Sequence, residues 1–170
     1  MDSYAGSLGQ GISQAAGIAF ARKRRGDTGR VVMLMSDGEC QSGQFWEAVQ
    51  AAAYHKLDNI LIYVDVNGYQ CDGKMTDIMN LEPFHKRLKS FGANVIRIDG
   101  HDIDALLSVS RRSALQAVAV NNPAPLFVLC DTDPCRDIPV LKRREKFHYI
   151  RFTKQGEKEE LQRFYNMFVR

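Results

Sequence analysis

The chain has 170 residues, enough for one domain with a real core and too few for two of ordinary size. Its hydrophobic share of 45% and charged share of 25% exclude the disordered and fibrous classes. Its net charge of +3 gives no case for nucleic acid, and no apolar run reaches the roughly 18 to 20 residues that span a bilayer. Met1 to Gly9 lack the basic start and apolar stretch of a leader, so a cytoplasmic protein without membrane contact is expected. Charge is unevenly spread: residues 136–170 hold ten Lys or Arg against five Asp or Glu, which leaves the remainder at −2. Cys40, Cys71, Cys130 and Cys135 lack the paired short spacings of a zinc site and are expected as free thiols. His55, His85, His101 and His148 lie far apart and form no helical metal-binding pair.

In chain order, Gly11 to Arg22 places small and apolar residues at helical spacing and runs into the basic stretch Arg22 to Arg25. Arg30 to Met35 is a nearly unbroken apolar run that stops at Ser36-Asp37-Gly38, as expected of a strand buried on both faces. A helix from about Gln44 to His55 and a strand from Asn59 to Val66 complete a β-α-β unit. Val95 to Ile98 reads as a strand, Ile103 to Val120 as a helix started by Asp102, and Pro125 to Cys130 as a strand after the breaker Asn121-Asn122-Pro123. Asp133 to Asp137 is loop-like, Leu141 to Lys146 is rich in charge, and Glu157 to Phe168 has Leu161, Phe164, Tyr165 and Phe168 at helical spacing. Alternating strands and helices imply an α/β fold, a mostly parallel sheet with helices on both faces. The expected division is an α/β domain over residues 1–135 and a basic C-terminal extension over 136–170, packed on the domain or at an interface.

Ligands of such sheets sit beyond the carboxyl ends of the strands. Two polar segments fall there: Ser36-Asp37-Gly38-Glu39 after one strand and Asp65-Val66-Asn67-Gly68-Tyr69 after the next. Asp-Gly and Asn-Gly pairs are by themselves most often plain turns. Brought to one sheet edge, a carboxylate and an amide carbonyl also supply hard oxygen ligands suited to Mg²⁺ or Ca²⁺, with phosphate oxygens completing the shell. The loop from Gly6 to Gly11, where glycine permits close approach, and the amino end of the helix after Gly38 would bring backbone N–H groups to a diphosphate.

The surrounding motifs resemble the transketolase family. Gly6-Ser7-Leu8-Gly9-Gln10-Gly11-Ile12-Ser13 is similar to its GSLGQGLS segment, and Ser36-Asp37-Gly38-Glu39 with Gly43-Gln44-Phe45-Trp46-Glu47-Ala48 to its GDGE and EGQ.WEA segments. Asp65-Val66-Asn67-Gly68 closes the thiamine diphosphate motif, and Leu81-Glu82-Pro83 and Ile98-Asp99-Gly100-His101-Asp102 extend the likeness over roughly residues 5 to 130. The resemblance implies the diphosphate-binding (PP-type) fold, with Asp37 and Asn67 holding the metal through side chains and Tyr69 through its carbonyl. It further implies Gly38 and Glu39 amides on the diphosphate, Gly6 and Leu8 near the thiazolium, and Glu47 near a subunit interface. An acidic residue on a helix surface is otherwise usually only solvated. No other catalytic residue is assigned.

In that family the cofactor's ring carbon, once deprotonated, attacks a ketose and carries a two-carbon ketol unit to an acceptor. The pyrimidine end of the cofactor belongs to a second domain, so the resemblance implies a separate pyrimidine-binding subunit of the transketolase C-terminal type, in a heterotetramer. Departures stand out. The family's upstream histidines have no counterpart here, Ser42 stands where glutamate is usual, Ser36 replaces the first glycine of the metal motif, and Asp131-Thr132-Asp133-Pro134-Cys135-Arg136 replaces a glycine- and lysine-rich loop. Gln44-Phe45, Glu47-Ala48 and the Asn67–Tyr69 pair also resemble the thiamine subunit of pyruvate-dehydrogenase-type enzymes. A hybrid that delivers a two-carbon unit to a lipoyl or acyl carrier is thus a second reading, and the basic tail would suit an acidic carrier protein. A non-catalytic scaffold that keeps only the fold is the third.

Overall fold

The computed structural model describes residues 6–111, 121–142 and 150–168. Helix α1 (Gly11–Arg25) runs three residues past the expected end, because Arg22 to Arg25 form its last turn, where positive charge complements the helix dipole. It ends at Gly26, whose left-handed φ of 74° lets its N–H reach the Arg22 and Lys23 carbonyls. Strand β1 (Val31–Ser36) leads through a 3-10 turn (Gly38–Gln41) into α2 (Gly43–Tyr54), then β2 (Ile60–Val66). A two-residue hairpin, β3 (Tyr69–Gln70) and β4 (Gly73–Lys74), precedes the short helix α3 (Met75–Ile78) and α4 (Phe84–Ser90). Next come β5 (Asn94–Asp99), α5 (Ile103–Ser110), β6 (Leu126–Asp131), α6 (Pro139–Lys142) and α7 (Gln155–Phe168).

The main sheet has the order β1-β2-β6-β5, and every neighbouring pair is parallel. Helices cover it on two sides. On one face Phe45 of α2, Phe84 and Leu88 of α4 and Ile12 of α1 close over Ile60, Ile62 and Val64, all essentially buried. On the other, Val109 of α5 packs with Leu61, Leu126 and Val128. The period-two alternation of β2 thus feeds both cores.

Strand β1 departs from the expectation of burial on both faces. Its Met35 is buried, but Val32 and Leu34 are 56% and 77% exposed. The reason is topological: β1 is an edge strand, and no described helix lies over its Val32 and Leu34 face. Helix α5 begins as expected, with Asp102 Oδ1 accepting the Ala105 N–H at 3.0 Å. It stops at Ser110, with Arg111 extended; the rest of the expected helix, to Val120, falls largely outside the described residues. Among the described residues, no helix is long and apolar enough to cross a membrane.

Candidate functional site at the strand tips

The parallel register pairs Ser36 with Asp65, so the segments that follow β1 and β2 emerge side by side at one sheet edge. The Asp37 N–H donates to the Asp65 carbonyl at 3.0 Å, and the Asp37 side chain folds inward until the residue is only 3% exposed. Its Oδ2 accepts the Gly68 N–H at 2.9 Å, which joins the Asp-Gly and Asn-Gly turns directly. Gly68 has a φ of 74°, a conformation that side chains disfavour. Asp37 Oδ1 is buried and accepts no well-formed hydrogen bond among the described residues, although the N–H groups of Gly38 and Asp37 lie near the carboxylate. Burial pushes this carboxyl up from its ordinary 3.8 to about 6, against the N–H groups of Gly68 and Gly38 and with the help of the nearby Asp65 charge.

Asn67 is held at both ends of its amide. Its Nδ2 donates to Asp65 Oδ2 at 2.9 Å, and its Oδ1 accepts the Tyr69 N–H at 2.9 Å. Tyr69 itself pairs with Lys74 in the small hairpin. Asp65 uses its other oxygen to accept the hydroxyl of Thr132, which follows β6, while the Thr132 N–H donates to the Val66 carbonyl at 3.2 Å. Asp65 and Thr132 both lie in segments that the sequence singled out, but it assigned neither a role of its own. They are 67 positions apart, and no periodicity connects them.

The glycine loop lies against the same edge through Glu39. The Gly9 N–H donates to Glu39 Oε2 and the Ser36 N–H to Glu39 Oε1, each at 3.3 Å. The side chain of Glu39 therefore ties the loop before α1 to the end of β1, a task that its place in the motif did not reveal. Gly9 is required there: its φ is 81°, and an added Cβ would stand 1.9 Å from Ser42 Oγ. Ser42 fills that space and donates to the Glu39 carbonyl at 3.0 Å. Gly38 is also confined, since a Cβ would come within 3.1 Å of Gln70 Cβ. Gly6 and Leu8, by contrast, are exposed, Leu8 by 67%.

The remaining expected residues fall elsewhere. Glu47 is exposed on α2, and no hydrogen bond among the described residues joins it to the strand tips. His101 Nε2 accepts the Asp133 N–H at 2.9 Å and so fixes the loop after β6. His55 packs edge-on to Phe20, with centroids 4.9 Å apart, and His85 lies on α4. His148 and the basic residues Arg143 to Lys146 lie outside the described residues. At the β5 and β6 tips, Arg97 binds Asp131 in bidentate fashion at 2.7 and 2.8 Å and Glu82 at 2.7 Å. These bonds, Asp131 first, hold the guanidinium firmly in its charged form. No group of three or more His, Cys, Asp or Glu that could hold a metal occurs among the described residues. The strand tips instead combine one buried carboxylate with amide and carbonyl oxygens.

Comparison with known proteins adds to this geometry. Residues 1–150 match the family described as "Transketolase, thiamine diphosphate binding domain". A transketolase family protein of Sinorhizobium fredii is 39% identical over 91% of this chain and 54% of its own length. An apulose-4-phosphate transketolase subunit of Actinobacillus succinogenes is 33% identical over 92% of this chain and 54% of its own. The chain thus spans about half the length of these curated relatives. Among solved structures, the transketolase of Campylobacter jejuni superposes with a TM-score of 0.65 at 29% identity, over 75% of this chain and 20% of that one. The transketolase of Leishmania mexicana does so with a TM-score of 0.63 at 25% identity, over the same shares. The chain belongs to the transketolase family, as a member of its thiamine diphosphate-binding domain.

Proposed function

We propose that this chain is the diphosphate-binding subunit of a two-component transketolase-like enzyme, which moves a two-carbon ketol unit from a ketose donor to an acceptor. The observation that carries the reading is the unpartnered oxygen of Asp37. A carboxylate buried without a partner for one oxygen is costly, and a divalent cation is the natural group to offset that cost. The donors fit Mg²⁺ or Ca²⁺: both ions prefer hard oxygen ligands, and Mg²⁺ typically takes one or two carboxylates together with phosphate oxygens. Asp37 and Asn67 would hold the ion through side chains and Tyr69 through its carbonyl. Gly38 and Glu39 would offer backbone N–H groups to the diphosphate, with Gly6 and Leu8 toward the thiazolium.

When bound, thiamine diphosphate supplies the carbanion chemistry of the transfer. The residues of this chain anchor and orient it. Asp37 provides the negative charge that draws the cation to the β1 tip, and its bond to Gly68 sets the spacing between the two turns. Glu39 keeps the glycine loop against β1, the loop whose Gly6 and Leu8 would approach the thiazolium.

Relatives named as transketolase subunits include the apulose-4-phosphate protein of Actinobacillus succinogenes and a 6-deoxy-6-sulfo-D-fructose transketolase subunit of Clostridium sp., 38% identical over 64% of this chain. These names support a separate pyrimidine-binding partner, with activity only in the joint assembly. In this reading Glu47, exposed on α2, stands toward a subunit contact, and residues 136–170 form an extension of the domain. Isothermal calorimetry of thiamine diphosphate and Mg²⁺ with the chain and its candidate partner tests the reading. Binding by the wild-type pair, lost in Asp37→Ala and Asn67→Ala, is expected. No binding by the wild-type pair would favour a scaffold that keeps only the fold.

A further inference from the structure

The polar groups at the strand tips form a chain with a direction. Thr132 gives its hydroxyl to Asp65 Oδ1, and Asp65 Oδ2 takes the Nδ2 proton of Asn67 at 2.9 Å. An asparagine amide has two ends of similar shape and opposite polarity, and only its oxygen can serve a cation. An ionised carboxylate only accepts hydrogen bonds, so Asp65 selects the Nδ2 end. The oxygen of Asn67 is thereby turned to the Gly68–Tyr69 turn, where it accepts the Tyr69 N–H, beside the Gly68 N–H that Asp37 binds.

We propose that Asp65, held in place by Thr132, is a positioning residue that fixes the amide of Asn67 with its oxygen presented for a divalent cation. Asp65 is assigned the orienting task because its two oxygens accept side-chain hydrogen bonds from Asn67 and Thr132. Thr132 belongs to the segment that replaces the family's glycine- and lysine-rich loop, so this departure retains a task at the site. The inference rests on the proposed use of Asp37 and Asn67 as cation ligands. Hydrogen-bonded groups behind metal ligands typically change metal affinity by about 10- to 100-fold when removed.

A positioning role and a merely structural one differ in a way that can be measured. A carboxylate at position 67 presents an oxygen at either end and needs no orientation, whereas an amide does. The experiment is a double-mutant cycle with Mn²⁺ as the probe, its free concentration read by electron paramagnetic resonance, on the full chain together with its candidate partner and thiamine diphosphate. Asp65→Ala should weaken Mn²⁺ binding about 10- to 100-fold when residue 67 is Asn. The same change on an Asn67→Asp background should cost no more than about 3-fold, since the orienting bond is no longer needed. An equal loss on both backgrounds, or no loss with Asn67 present, overturns the proposal.

A second measurement needs neither a metal nor a variant that folds. In the ¹⁵N-labelled wild-type chain, the Asn67 side-chain amide protons should exchange with water more slowly than those of exposed asparagines. Exchange at the exposed rate overturns the proposal. Failure of the wild-type chain with its candidate partner to take up Mn²⁺ would instead count against the cation-binding reading, and the exchange measurement would then report only whether Asp65 holds the Asn67 amide.

Discussion

The tips of β1 and β2 and the tips of β5 and β6 share one sheet edge, yet Asp37 at the first and Asp131 at the second are treated in opposite ways. At the second pair, Arg97 satisfies both oxygens of Asp131 and one of Glu82. At the first, Asp37 is more deeply buried and keeps one oxygen without a partner among the described residues. A fold gains nothing from an unpaired buried carboxylate, whereas a ligand site does. The paired cluster therefore reads as structure and the unpaired one as function, a contrast that substitutions at each can test.

The strongest response should come from Asp37. Asp37→Ala should weaken divalent-cation binding by more than about 100-fold, beyond what outer groups around a metal contribute. Calorimetry checks this, and circular dichroism should show the fold retained. Asp37→Asn keeps an acceptor for the Gly68 N–H and removes the buried charge. The wild-type carboxyl ionises at about 6 in the folded chain and near 3.8 ordinarily, so protonation favours the folded state. Its contribution to stability is full below about 3.8 and is lost as pH rises through about 6. At neutral pH the cation-free Asp37→Asn chain should thus be more stable than wild type, by about 1 to 3 kcal/mol from a shift of this size. Denaturant titration at pH 4.5 and 7.5 would show the larger gap at the higher pH. For the same reason cation affinity should fall as pH drops below about 6, because the ligand must be ionised.

The paired cluster should answer differently. Arg97→Met should lower stability by about 1 kcal/mol, a value discounted for the partial exposure of all three partners, and leave cation affinity within about 3-fold of wild type. A loss of affinity like that of Asp37→Ala would remove the distinction between the two tips. The weakest response is expected from the tail. Neutralising Lys142, Arg143 and Arg144 should leave cation binding unchanged, and only a slower transfer to an acidic carrier at low salt would bring the tail into the mechanism.

Much of this arrangement was legible in the sequence, for identifiable reasons. The apolar runs at 30–35 and 59–66 end in Asp-Gly and Asn-Gly segments, so a parallel pairing had to bring them to one edge, and the register of Ser36 with Asp65 shows that it does. Asp102 announced the start of α5 because a side-chain cap is a local feature. What stayed hidden was non-local. The Glu39 carboxylate reaches back 30 positions to Gly9, and Thr132 reaches 67 positions to Asp65. Neither contact leaves a spacing that a linear reading can find. The exposure of Val32 and Leu34 was hidden for a related reason: an apolar run looks the same at a sheet edge as at its centre, and only the strand order tells them apart.

The proposed activity depends on the unpaired oxygen of Asp37 serving a cation that anchors a diphosphate. Calorimetric titration of Mg²⁺ and thiamine diphosphate into wild type and Asp37→Asn, each with the candidate partner subunit, addresses that dependence without intermediate steps. Mg²⁺-dependent binding is expected from wild type and none from the variant, although the variant is the more stable of the two without cation. Equal binding by both would contradict the assignment.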